Sequence, residues 1–217
     1  MIKALIYDLD GTLADTLPSL CEAINMTMDH YSAPHRTCED VRIAIGNGAR
    51  MLVKRLLPDS LAADEDKVTE ALSYYNACYA KTYTAADHCY DGMWEAVTEL
   101  SRRGYASAVL SNKPDRYTVA LCDILFPEDT FAVAQGQKDG VPTKPDPTAP
   151  LDIAARLGVR PEECAFIGDS EVDIRTASNA GMTSVGCAWG YRGAEALREA
   201  GADIVIDSPH QLLTLFN

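Results

Sequence analysis

The chain has 217 residues, enough for one large domain or two unequal ones around a substantial buried core. With 19 basic and 32 acidic residues its net charge is −13, and no Lys/Arg-rich run offsets it, which argues against nucleic acid and anionic membrane surfaces as partners. Hydrophobic residues at 47% and charged residues at 24% are ordinary for a soluble globular protein, so any anionic substrate would need concentrated local positive charge.

The first predicted element is the apolar run Ile2–Tyr7, a strand that ends on "DLDGTLADT". From Leu17 to about Ala86 no strand pattern is found; the clearest helical patterns are Leu17–Tyr31, Gly48–Leu57 and Ala62–Thr82, broken at Pro34, Gly46–Gly48 and Pro58. Strand patterns then resume at Tyr105–Leu110, Phe131–Ala134, Cys164–Gly168, Thr183–Cys187 and Asp203–Ile206. Helical stretches such as Met93–Arg103 and Leu151–Leu157 lie between them, closed by Gly104 and Gly158. Alternating β and α units predict an α/β fold, a Rossmann-like parallel sheet with helices on both faces. The helical interval predicts an insert, giving a core of residues 1–16 and 87–217 and a helical domain of residues 17–86.

Seven scattered cysteines (Cys21, Cys38, Cys78, Cys89, Cys122, Cys164 and Cys187) form no CxxC pair, which argues against a zinc knuckle or a disulfide framework. The start "MIKALIYDLDG" does not read as a signal peptide, and no apolar run is long enough to span a bilayer. A reducing cytoplasm is the expected compartment.

Four strand ends carry candidate chemistry. Asp8 and Asp10, two apart on an extended chain, can face one pocket, and Gly11 lets the backbone turn. An EF-hand loop is excluded, because its glycine belongs at the sixth position and flanking helices are needed. An ordinary turn with Asp side chains on backbone N–H groups is the alternative. Ser111 and Asn112 follow the next strand, before Pro114, and read either as an anion site or as helix caps. Lys144 stands in "PTKPDP", where flanking prolines would fix its direction; a solvated surface lysine is the bland reading. Asp169 ends another strand and suggests metal coordination, while Asp173 sits at capping-box spacing from Ser170. In an open parallel sheet all four strand ends share one edge, where ligands bind.

Taken together, "DLDGTLADT", "LSN", Lys144 with "KPDP", and "GDSEVD" resemble the four motifs of the haloacid dehalogenase superfamily, over the whole chain. Within it, "IGNGARMLVKRLL", "SNKP", "KPDP" and "WGYRG" are similar to the phosphoglycolate phosphatase-like group; "CYDGM" departs from many relatives by lacking a proline before its glycine. The resemblance implies a phosphatase working through an aspartyl phosphate. Asp8 would be the nucleophile, and Mg²⁺ would be held by Asp8, Asp169 and the Asp10 carbonyl. The Asp10 side chain would serve as general acid and then base. Thr12, Ser111, Asn112 and Lys144 would bind the phosphoryl group, and Asp173 would orient Lys144 or a metal-bound water.

The helical insert would be a cap. Its Asn47 and Arg50 are candidate substrate contacts, although Arg50, Lys54 and Arg55 also read as a solvated helix face. "GNGARM" is no dinucleotide fingerprint, since its third glycine is missing. The expected substrate is a small phosphorylated metabolite, 2-phosphoglycolate first, and the expected state is monomer or homodimer. Pyrophosphatase, nucleotidase and β-phosphoglucomutase-like activities remain alternatives. A non-catalytic phospho-receiver is a more distant one, because receivers carry no seventy-residue insert.

Overall fold

The computed structural model describes residues 1–84 and 88–217. It divides into two compact units, Met1–Asp15 with Cys89–Asn217, and Thr16–His88. The expected insert boundary at Ala86 and Asp87 lies outside the described residues.

The first unit is an α/β layer built on six strands: β1 (Ala4–Tyr7), β4 (Ala106–Pro114), β5 (Val133–Gln137), β6 (Cys164–Gly168), β7 (Thr183–Cys187) and β8 (Ile204–Ile206). Two-residue strands β2 (Ala14–Asp15) and β3 (His88–Cys89) pair in a separate ribbon. The six run parallel in the order β5-β4-β1-β6-β7-β8. Every residue of β1 is buried, as a central strand covered on both faces requires. On one face Ala4, Ile6, Ala108, Leu110 and Phe166 pack against Ile153 of α8 (Thr148–Arg156) and Ala177 of α9 (Glu171–Ala180).

From β1 the connections run first to β4 and β5, then cross back to β6, β7 and β8. The sheet therefore changes winding direction between β1 and β6, whose register sets Tyr7 beside Ile167. Such a switch point opens a crevice at the carboxyl ends of the strands. Asp8 and Asp169, the residues after these two strands, flank it.

The largest departures from the expected core boundaries are in β4, β5 and α8. Strand β4 does not stop at Leu110 but continues through Ser111, Asn112 and Lys113 to Pro114, and α7 (Asp115–Leu125) begins only after it. Ser111 and Asn112 are thus strand residues rather than helix caps. Strand β5 begins at Val133 and extends into Gln135–Gln137, polar positions that sequence pattern does not mark as strand. Helix α8 starts at Thr148, three residues before its first large apolar residue, Leu151.

The second unit holds α1 (Leu17–His30), α2 (Cys38–Ala44), α3 (Gly48–Leu56), α4 (Asp59–Ala62) and α5 (Glu65–Thr82). Helix α2 escapes the periodicity reading because it is only seven residues long. Its signal is a capping box, Thr37 Oγ1 accepting from Asp40 N at 3.1 Å while an Asp40 oxygen accepts from Thr37 N at 2.9 Å. Asp64 caps α5 by accepting from Asp66 N and Lys67 N, without the reciprocal bond of α2, and the helix starts at Glu65 rather than the expected Ala62. Cys21 of α1 and Cys38 of α2 face each other with their Cα atoms 5.6 Å apart, a juxtaposition their spacing does not reveal. Among the described residues no helix is long and apolar enough to cross a membrane.

Candidate active site

The site grows from the end of β1. Asp8 N donates to Ile167 O at 2.8 Å, extending the β1–β6 ladder by one residue and fixing the Asp8 backbone. Leu9 N donates to Asp8 Oδ1 at 2.7 Å. The chain then turns tightly: Leu9 O accepts from Leu13 N and Ala14 N, and Gly11 N donates to Ala14 O at 2.9 Å. Gly11 has φ +84°, and a Cβ there would run into the Asp169 carboxylate and the Tyr191 ring. The turn therefore exists because position 11 has no side chain.

Asp169 faces this turn from the end of β6. Its Oδ2 accepts from Tyr191 N at 2.7 Å, and its Oδ1 lies 3.3 Å from the donating Thr12 hydroxyl. Trp189 Nε1 donates to Thr12 O at 3.1 Å, tying the loop after β7 to the turn after β1. Gly190 between these two residues is required by close approach, since a Cβ would fall on Asp169 Cβ and the Gly11 carbonyl. The "WGY" segment thus seats Asp169.

Lys144 lies between two carboxylates, its Nζ 2.9 Å from Asp8 Oδ1 and 2.7 Å from Asp173 Oδ1. The other Asp173 oxygen accepts from Ser170 N at 3.1 Å and Ser170 Oγ at 2.7 Å, so Asp173 both caps α9 and aims Lys144. The Lys144 backbone is clamped by the Asn112 amide. Asn112 Nδ2 donates to Lys144 O at 3.0 Å, and Lys144 N donates to Asn112 Oδ1 at 2.9 Å. Asn112, expected on phosphoryl oxygens, is bonded here to the backbone of the lysine.

A second buried ion pair joins Lys113 Nζ to Asp10 Oδ1 at 2.8 Å. The sequence reading assigns Lys113 no role. Its only cue is its place directly after Ser111–Asn112, where it resembles a surface lysine. Ser111 is buried, and its Oγ accepts from Lys113 N at 3.3 Å.

Electrostatics follow from charge counting in a dry pocket. Asp8, Asp169 and Asp173 place carboxylate oxygens within 4.8 Å of one another, all three side chains being buried. Burial pushes the Asp8 carboxyl up to about 7; Lys144 opposes the rise, and Asp173 and Asp10 add to it. Burial, then Asp173 and Asp8, hold Asp169 well above the usual carboxylate range. Burial disfavours the Lys144 ammonium, but Asp173 and Asp8 outweigh it and raise its proton affinity. Three clustered carboxylates share one ammonium, an excess of negative charge that a hard divalent cation with oxygen ligands would offset.

Residues 2–181 match the sequence profile of the haloacid dehalogenase-like hydrolases. The chain belongs to that family. This hydrolase is similar to phosphoglycolate phosphatase 1 of Pseudomonas aeruginosa, at 33% identity over 97% of this chain and 78% of the relative. It is also 33% identical to the phosphoglycolate phosphatase of Pectobacterium atrosepticum, over 99% of this chain and 92% of that one. Among solved structures it matches a predicted phosphoglycolate phosphatase from Haemophilus somnus with a TM-score of 0.92 and 26% identity, covering 100% of this chain and 98% of that one.

In this hydrolase the first unit brings together Asp8, Asp10, Thr12, Ser111, Asn112, Lys144, Asp169 and Asp173 around one sheet edge. Asn47 and Arg50 belong to the helical unit and have partners there. Asn47 Oδ1 accepts from Arg55 Nη2 at 2.7 Å; Arg50 pairs with Glu65 and donates to Thr69 Oγ1 at 3.0 Å. Lys54 also pairs with Glu65, and both cations are partly exposed.

Proposed function

We propose that this hydrolase is a Mg²⁺-dependent phosphomonoesterase of the cytoplasm that uses Asp8 as nucleophile, with 2-phosphoglycolate as substrate. The observation that carries the proposal is the constellation at the β1–β6 switch point. Asp8 is bonded to a buried lysine and faces Asp169, and Asp10 stands two residues further on. The phosphoglycolate phosphatase relatives, similar over nearly the full chain, support the choice of substrate.

The donor set fits Mg²⁺: buried carboxylates, an adjacent turn rich in backbone carbonyls, and no soft ligand in the cluster. Asp8, Asp169 and the Asp10 carbonyl would hold it, and when bound it supplies charge neutralisation of the phosphoryl oxygens. That neutralisation matters, because two unit charges 4 Å apart repel by about 4 kcal/mol at an effective dielectric near 20.

Asp8 attacks phosphorus, and the ester oxygen departs as an alkoxide that Asp10 protonates. Asp10 then takes a proton from the water that cleaves the aspartyl phosphate, restoring Asp8. Proton transfer of this kind is typically worth about 10² to 10⁴ in rate. Lys144 neutralises charge on Asp8 and on the transferring group, and Asp173 and Asn112 hold Lys144 in place. Ser111 binds a phosphoryl oxygen. Thr12 supports Asp169 through its hydroxyl. The helical unit acts as the cap, with Asn47 and Arg50 as leaving-group contacts; Arg50→Ala is expected to raise KM more than it lowers kcat.

A panel of phosphorylated metabolites assayed for phosphate release with Mg²⁺ tests the reading. The highest kcat/KM is expected on 2-phosphoglycolate, abolished by Asp8→Asn. Preference for pyrophosphate or a nucleotide, or sugar-phosphate interconversion without phosphate release, would overturn the substrate assignment.

A further inference from the structure

We infer that Lys113 is a positioning residue for leaving-group protonation: it fixes the orientation of the Asp10 carboxyl and does not act on the phosphoryl group. The inference rests on the general-acid role proposed for Asp10.

The site sorts its two lysines onto different carboxylates. Lys144 bridges Asp8 and Asp173, whereas Lys113 reaches Asp10 at 2.8 Å. Only 3% of the Lys113 side chain and 13% of the Asp10 side chain are exposed, so this pair is not a solvated surface contact. An ammonium is rarely buried without a partner, and a buried charge-assisted bond fixes geometry as well as charge.

The root of the Lys113 side chain is also fixed. Lys113 N donates to Ser111 Oγ at 3.3 Å, its carbonyl accepts from Thr118 Oγ1 at 3.4 Å, and Pro114 follows. Gly136 of β5 lies so close that a Cβ there would stand 2.5 Å from the Lys113 carbonyl oxygen. On the other side, the Asp10 backbone is bridged to Ala14. Both ends of the ion pair therefore hang from constrained backbone, and the bond between them restricts how the Asp10 carboxyl rotates. Orientation of this kind matters because a misplacement of about 1 Å in a catalytic group can cost roughly 10²-fold in rate.

Leaving-group chemistry separates positioning of Asp10 from contact with phosphate. An alkoxide must be protonated as it leaves, whereas p-nitrophenolate departs unaided, and kcat/KM reports the steps through that departure. Wild type, Lys113→Met, Asp10→Asn and the double variant are compared on 2-phosphoglycolate and on p-nitrophenyl phosphate with Mg²⁺. Lys113→Met is expected to lower kcat/KM on the alkyl ester by about tenfold or more and on the aryl ester by less than about threefold. Asp10→Asn should show the same selectivity more strongly, and the double variant should be no slower than Asp10→Asn on the alkyl ester. Lys113→Arg, which keeps a cation for Asp10, should recover part of the alkyl activity. Circular dichroism and the thermal midpoint establish that the compared variants are folded.

Equal losses on both esters in folded Lys113→Met, or multiplicative losses in the double variant, would overturn the inference. Selectivity in Asp10→Asn without selectivity in Lys113→Met overturns the positioning role alone. Absence of selectivity in Asp10→Asn removes the general-acid reading and the positioning role with it.

Discussion

Replacing Lys144 by Met tests the electrostatic account of the site through stability alone. The ammonium is 3% exposed and bonds Asp8 Oδ1 at 2.9 Å and Asp173 Oδ1 at 2.7 Å, so its removal leaves two buried carboxylates without their shared cation. Breaking a buried pair by deleting one partner typically costs about 3–5 kcal/mol. The loss should depend on pH, and its sign follows from the protons involved. Asp8 is raised to about 7 even with Lys144 present, against 3.8 for the ordinary carboxyl, so without the ammonium its folded proton affinity rises further. Near pH 5 Asp8 holds its proton in both folded proteins, so less repulsion is left unrelieved and the deficit should be at its smallest. Near pH 8 wild-type Asp8 has released its proton while the variant's, raised further, retains it, so the deficit should be larger than near pH 5, by up to about 1.4 kcal/mol for each pH unit above 7. The Lys144 ammonium itself is raised, so its contribution is fully present across this range and adds no slope. Both tryptophans of the chain, Trp94 and Trp189, lie in the α/β unit, so urea titrations followed by their fluorescence read the unfolding of that unit. A deficit below about 1 kcal/mol, or one equal at both pH values, would refute the reasoning.

Metal-free protein should lose stability as pH rises from about 4 to 7, because folded Asp8 retains a proton that the unfolded carboxyl has released, an effect of up to about 4 kcal/mol. Raised Asp169 acts in the same direction. Mg²⁺ at about 100 times its dissociation constant should add about 2.7 kcal/mol near pH 8 and much less near pH 5, and a larger gain at acid pH would contradict this. Gly190→Ala should destabilise the α/β unit by about 1–3 kcal/mol and weaken Mg²⁺ binding, since the new methyl meets Asp169 and the Gly11 carbonyl; calorimetry with and without Mg²⁺ reads both effects. Asn112→Ala, which frees the Lys144 backbone, should lower kcat on 2-phosphoglycolate by about tenfold or more; an unchanged kcat would remove Asn112 from the account.

What the sequence makes legible here is what burial makes one-dimensional. Strands β6 and β7 are read to the residue, since β6 is buried throughout and each is a five-residue run bounded by loop or helix signals. Asp8 and Asp169 are legible because they directly follow such strands. Strand β4 is cut short because Ser111, Asn112 and Lys113 are polar yet buried, an arrangement made favourable by partners such as Lys144 and Asp10, which lie far away in sequence. The same reason hides Lys113. A lysine is ordinarily a surface residue, and nothing local shows that Asp10, 103 residues earlier, will receive it. The Trp189–Tyr191 segment is visible as family likeness, but its bonds to Thr12 and Asp169 come only from the pairing of two distant loops. In the helical unit, α2 is too short for periodicity, and only its capping box betrays it.

The central claim is that Asp8 becomes covalently phosphorylated. Rapid acid quenching of the enzyme during turnover of 2-phosphoglycolate with Mg²⁺, followed by peptide mapping, measures it most directly. The account predicts phosphate on the peptide containing Asp8, formed and lost at rates compatible with kcat, and absent in Asp8→Asn. Turnover without any phosphoenzyme in the quenched samples, together with near-normal hydrolysis by Asp8→Asn, would contradict it.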